Sequence, residues 1–161
     1  MEFLVIGNIT KDLIRTKDRE EYSFGGASYP GITAKQLGYK TRVLSRGNDQ
    51  LSEWIEQLNI MGIEVLLQPD ENVTYFVNDY TSGERKQLLY AHTKKIDFKI
   101  DEKIDIIHVS PVFQEVDSEL IKKAKKQCDF LSLDVQGLVR DVKDLHVIGR
   151  FWEDKEEYLP L

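Results

Sequence analysis

Five short strand-like runs, at residues 3–7, 40–45, 63–67, 105–110 and 130–133, constrain this chain more than any other feature of its sequence. The first is continuously apolar up to Gly7, with no polar alternation, so it predicts a strand buried on both faces at the centre of a parallel sheet. Helical patterns lie between the runs. One helix begins near Ser28 with Pro30 in its first turn and closes at Gly38; a second is capped by Asn48 or Asp49. In the second, Leu51, Trp54, Ile55, Leu58 and Met61 fall at i, i+3, i+4, i+7 and i+10, and Gly62 stops it. A third is capped by Asp117, with Val116 stapled to Ile121, Leu120 and Ala124 inward and Lys122, Lys123, Lys125 and Lys126 on its solvated face. Strand, helix, strand, helix, strand predicts right-handed parallel crossovers in an α/β domain.

The rhythm breaks once. Residues 73–80 and 86–92 read as two strands joined by Thr81-Ser82-Gly83-Glu84, a hairpin with apolar groups on both faces. Further on, residues 142–151 predict a peripheral hairpin or strand and 152–158 a short helix, and the exit through Leu159, Pro160 and Leu161 predicts a further strand.

A chain of 161 residues predicts one domain, and its net charge of −6 disfavours nucleic acid or an anionic membrane as partner. Cys128 is the only cysteine, which excludes an internal disulfide and a cysteine-rich zinc site. His92, His108 and His146 have no metal-ligand spacing, so no metal is assigned. The start of the chain lacks a basic segment followed by a long apolar one, which predicts a cytoplasmic protein in which the sequons at Asn8 and Asn72 are chance matches.

Candidate binding residues sit where the predicted strands end. Residues 8–12 follow the first strand as a loop, at the carboxyl edge where open α/β sheets place ligands. Asp12 there either accepts hydrogen bonds from two adjacent hydroxyls of a polyol or is a solvated loop acid. Gly25 and Gly26, before the first helix, either direct backbone N–H groups at a ligand or make a tight turn. Residues 134–140 bring Asp134, Gln136 and Arg140 to the same edge. Asp12 and Asp134 as a glycosidase pair is disfavoured, because no feature fixes their separation. A dinucleotide-binding domain is disfavoured by the absence of GxGxxG.

Taken together, Gly7-Asn8 with Asp12, Gly25-Gly26 leading to Leu37-Gly38, Arg46-Gly47-Asn48-Asp49 and the strand pair flanking Gly83 resemble the ribokinase-like (PfkB) carbohydrate kinases along nearly the whole chain. Residues 134–140 with Trp152 and residues 156–159 look most like the branch that includes myo-inositol kinases. The resemblance implies a Rossmann-like parallel sheet flanked by helices with a small β lid near residues 73–92, all 161 residues being the N-terminal part of one ribokinase-like domain. It also implies transfer of a phosphoryl group from ATP or another nucleotide, with Mg2+, to a sugar or polyol hydroxyl. Asn8, Thr10, Asp12, Gly25, Gly26, Ser28, Tyr29, Gln136 and Arg140 are the implied substrate-binding residues. The family's glycine motif usually continues to an Asn, and here Ser28 or Tyr29 stands in its place.

The family's Asn-x-x-Glu element and its Gly-x-Gly-Asp loop, whose Asp deprotonates the acceptor hydroxyl, do not occur in these residues. The chain therefore resembles the substrate-binding half of such an enzyme, truncated before the catalytic segment, and no phosphotransfer is expected of it alone. The alternative is a catalytically silent module that holds a polyol or associates with partners. A truncated sheet leaves an edge and an apolar face uncovered, so homo-oligomers through the lid or that edge are a further expectation.

Overall fold

The computed structural model describes residues 1–153 and 155–158, so the expected exit at residues 159–161 lies outside the described residues. Five parallel strands form the first sheet: β1 (Glu2–Ile6), β4 (Lys40–Gly47), β5 (Ile63–Pro69), β8 (Ile104–Val109) and β9 (Cys128–Leu133), in the order β5-β4-β1-β8-β9. The apolar run at the start of the chain is central, as its composition requires, and Leu4, Val5 and Ile6 are wholly buried. Because successive side chains alternate between faces, Leu4 and Ile6 join Leu44, Ile107 and Val109 under α3 (Ser118–Lys126). Val5 joins Val43 and Ile63 on the other face, beside α1 (Ser28–Gln36) and α2 (Ser52–Ile60).

The predicted caps are present. Asp117 Oδ1 accepts from the Leu120 N–H at 2.9 Å, and Asn48 Oδ1 accepts from the Gln50 N–H at 3.1 Å in a short 3-10 turn ahead of α2. Met61 departs from the expected inward stripe. The helix stops at Ile60, and Gly62 takes φ +79°, leaving Met61 half-exposed beyond the last turn.

The second sheet is larger than the expected hairpin. Its order is β10-β11-β7-β6-β2-β3, from β2 (Ile9–Arg15), β3 (Glu20–Gly26), β6 (Tyr75–Asp79), β7 (Lys86–Ala91), β10 (Arg140–Lys143) and β11 (His146–Gly149). Residues 8–12, expected as a loop, thus run almost directly into a strand. Ile9, Thr10 and Ile14 are β-branched, and β2 pairs antiparallel with β3 and parallel with β6, so long-range pairing overrides the polar character of Lys11 and Asp12. Residues 15–21, whose polarity suggests an exposed connection or a short edge strand, hold both: a turn closed by Thr16 N–H to Arg19 O at 2.9 Å, then the start of the edge strand β3 at Glu20. Residues 140–149 form the anticipated peripheral hairpin, whereas among the described residues of 152–158 the helical part is a 3-10 turn, Lys155–Glu157.

A buried polar junction couples the two sheets. Glu115 is 1% exposed, and its carboxylate accepts from the backbone N–H groups of Asn8 (3.0 Å), Val112 (2.8 Å) and Phe113 (2.7 Å). The Asn8 carboxamide donates to the hydroxyls of Thr74 (3.0 Å) and Thr93 (2.7 Å) and accepts from the Arg46 N–H at 3.1 Å. Ser45 Oγ accepts from Ile9 N–H at 2.9 Å. Each buried polar group at the turn from β1 to β2 therefore has a partner, which is the condition for a polar junction to be tolerated in a core.

Candidate functional site

On β2, alternation turns Thr10, Asp12 and Ile14 to one face, and the register Asp12↔Phe76, Ile14↔Asn78 extends that face across β6. This inner face meets the segments that follow β8 and β9. Between them is a half-open cleft of about 450 Å³, lined by those five residues with Gly26, Tyr29, Pro30, Tyr80, Arg85, Gln87, Ser110, Val112, Asp134, Gln136 and Arg140. The two clusters expected at one sheet edge do converge. Among the expected site residues, Thr10, Asp12, Gly26, Tyr29, Gln136 and Arg140 line this cleft.

Three others stand elsewhere. Asn8 is spent in the junction, and Ser28 is wholly buried, its hydroxyl donating to Gly25 O at 2.7 Å, so it closes the turn into α1 instead of facing the cleft. Gly25, opposite Thr10 in the β2–β3 pairing, is outside the lining, but a Cβ there would stand 2.5 Å from Asp12 Oδ2, 2.9 Å from Thr10 Oγ1 and 3.3 Å from Tyr29 Cε2. Gly26 takes φ +60°, and a Cβ on it would meet Asn8 O at 2.1 Å. The glycine pair therefore leaves room beside the acid as well as making a turn.

Asp12 is the electrostatic centre of the cleft. Burial raises its pKa to about 6, against the opposing pull of the Thr10 hydroxyl and of the Arg85 and Arg140 charges. Its buried Oδ1 has no hydrogen-bond partner within the protein. An unpaired buried carboxylate oxygen is costly in the free protein, and the carboxylate that carries it lines the cleft, where a small side-chain rotation would let it accept a hydroxyl.

Two arginines frame it. Arg85, from the β6–β7 connection, donates through Nε (3.1 Å) and Nη2 (2.8 Å) to Asn78 Oδ1, which also accepts from Gln87 Nε2 at 3.0 Å. Arg140 Nη1 donates to Val112 O at 3.0 Å, and its guanidinium lies 5.6 Å from the centre of the Phe76 ring. Burial lowers the Arg140 pKa, and Arg85 lowers it further. Asp134 Oδ1 accepts from the Gln136 N–H at 2.8 Å and so shapes the turn that presents Gln136. Asn78, Arg85, Gln87 and Ser110 were not among the expected residues. Asn78 and Gln87 follow from strand alternation only once the register with β2 is known, and no local motif marks Arg85.

Among the described residues no group of three or more His, Cys, Asp or Glu side chains converges to hold a metal ion. No helix among them is long and apolar enough to cross a membrane. His108 is half-buried, with Nδ1 2.8 Å from Ser132 Oγ, and burial lowers its pKa. Cys128 is a buried free thiol.

No family model matches the sequence, and no curated protein does. Solved structures do match. A pyrophosphate-dependent kinase of the ribokinase family, in a sulfate complex, superposes with a TM-score of 0.87 at 28% identity, covering 98% of this chain and 58% of that one. A pyrophosphate-dependent kinase of that family complexed with a pyrophosphate analog and myo-inositol gives a TM-score of 0.86 at 28% identity, covering 98% and 57%. A ribokinase from Thermotoga maritima gives 0.62 at 15% identity over 84% and 52%, a likeness of fold alone. The chain spans a little over half the length of the solved kinases it matches. It has the ribokinase-like fold, and the solved structures that it resembles include pyrophosphate-dependent kinases of the ribokinase family, a myo-inositol kinase among them.

Proposed function

We propose that this chain is the acceptor-binding part of a sugar or polyol kinase, holding a substrate hydroxyl for phosphoryl transfer from a nucleotide or from pyrophosphate. The observation that carries the reading is the Asp12 carboxylate, which lines the cleft and has one oxygen, Oδ1, buried without a partner in the protein. An ionised carboxylate there accepts hydrogen bonds from vicinal hydroxyls, while Thr10, Asn78, Gln87 and Gln136 offer further polar groups around a polyol ring. Phosphoryl transfer depends mainly on positioning and on stabilising charge, and the residues of this chain serve the first of these. The β6–β7 hairpin, with Tyr80 and Arg85 over the cleft, acts as a lid that limits water at the reacting hydroxyl.

Isothermal titration with myo-inositol and with ribose tests the reading: saturable binding that Asp12→Ala weakens about ten-fold or more is expected from loss of a charged acceptor worth about 1.5–3 kcal/mol. Equal affinity for wild type and Asp12→Ala would remove the acid from the site.

A further inference from the structure

Asp12 and Arg140 line one cleft, yet in the six-stranded sheet three strands separate β2 from β10. The sheet is a loose link between them. Strand β11 meets β7 through one register pair, His146↔Leu88, beside a hydrogen bond from Leu89 N–H to Leu145 O at 2.8 Å. Residues 134–139, which lead into Arg140 and carry Gln136, form no helix or strand of their own. What fixes them is the segment that follows β8. Gly137 N–H donates to Pro111 O at 3.0 Å, and Gln114 N–H donates to Gly137 O at 3.1 Å. A Cβ on Gly137 would stand 2.6 Å from the Pro111 carbonyl carbon, so the two segments meet backbone to backbone. At Arg140 the contact is double: Gln114 Nε2 donates to its carbonyl at 2.9 Å, and its own Nη1 donates to Val112 O at 3.0 Å.

Gln114 takes φ +57°, a region seldom adopted by residues other than Gly, Asn and Asp. Such a conformation persists where the surroundings over-determine it. Here they do so from both sides. The Glu115 carboxylate binds the N–H groups of Val112 and Phe113, just before Gln114, and that of Asn8, in the turn leading to Thr10 and Asp12. From that fixed point, the left-handed backbone of Gln114 brings both its N–H and its carboxamide to residues 137–140. We propose that Gln114 is a positioning residue of the acceptor cleft: anchored through Glu115 to the start of β2, it sets the placement of Arg140 and Gln136 relative to Asp12. It does so without lining the cleft itself. The inference rests on the reading of that cleft as a polyol site.

Isothermal titration of the whole chain with myo-inositol, with melting curves alongside, tests it. Gln114→Gly removes the carboxamide and relieves the left-handed backbone together, so the melting transition is expected to hold while affinity falls about three-fold or more. Gln114→Glu keeps the side chain's length but sets an acceptor oxygen against the Arg140 carbonyl, and a comparable loss is expected. A double-mutant cycle separates positioning from mere support. In an Arg140→Met background, adding Gln114→Gly should change affinity by less than about two-fold, because the group it places is gone. Undiminished affinity in both Gln114 variants overturns the proposal. So does an equal loss with and without the Arg140 side chain, or a melting transition that collapses in both variants, which would assign Gln114 to the fold. Where wild type binds and Asp12→Ala weakens binding but the Gln114 variants do not, this inference alone fails. A wild-type chain that binds no polyol removes the reading of the cleft and this inference with it.

Discussion

In the five-stranded sheet the row facing α3 is Leu4, Ile6, Ile107 and Val109, all wholly buried, whereas in the six-stranded sheet the inward row is Thr10, Asp12, Ile14, Phe76 and Asn78. The first row is what burial alone selects. The second holds an acid whose charge the fold resists, as its pKa of about 6 records, and whose Oδ1 has no partner. The apolar row serves the core, whereas the polar row lines the cleft proposed to bind a polyol, where a ligand would relieve the unpaired acid.

The largest expected effect is at the junction between the sheets. Glu115→Ala orphans the backbone N–H groups of Asn8, Val112 and Phe113 in a site closed to water, and an expected loss of about 3–5 kcal/mol should appear in urea unfolding. A loss below about 1 kcal/mol would show that the sheets do not depend on this carboxylate. Within the apolar sheet, Ile107→Ala should cost about 2–4 kcal/mol through lost burial and a cavity, while Ile14→Ala, half-buried at the cleft, should cost clearly less. Equal losses would erase the contrast between the sheets.

The next effect has the opposite sign. With its folded pKa raised from 3.8 to about 6, Asp12 binds a proton more tightly in the folded state. Stability from this group is therefore greatest below the unfolded value and falls as pH rises through the window from 3.8 to about 6. Asp12→Asn should stabilise the protein by about 2 kcal/mol at pH 7 and have little effect near pH 3.5, read from urea midpoints at the two pH values. A destabilised Asp12→Asn at pH 7 would mean that the carboxylate is structural.

The parallel sheet was legible in the sequence because its signal is local. Apolar runs such as residues 3–7, the capping Asp117 and the stop at Gly62 each act within a few residues. The second sheet was only partly legible. The hairpin around Gly83 has a turn signature, but β2 is defined by pairing with β3 and with β6, a partner more than sixty residues away in sequence, and Lys11 and Asp12 conceal its strand character. The same limit governed the site. Asp12, Gln136 and Arg140 follow soon after the apolar runs 3–7 and 130–133 in sequence and could be named, whereas Asn78 and Arg85 reach the cleft only through the register of β6 and its hairpin. Asn8, directly after Gly7, and Ser28, two residues after Gly26, have the same appearance in sequence as ligand contacts; their partners Thr74, Thr93 and the Gly25 carbonyl are set by the folded chain.

The most direct test of a buried, open Asp12 as the polyol acceptor is the pH dependence of polyol affinity in wild type and Asp12→Asn. Because the ionised carboxylate accepts the hydroxyls, myo-inositol binding by wild type should be constant above pH about 7 and weaken about ten-fold per pH unit below about 6. Asp12→Asn should bind weakly and without that slope. A wild-type affinity that stays flat from pH 5 to pH 8, or an Asn variant with the same profile, would contradict the account.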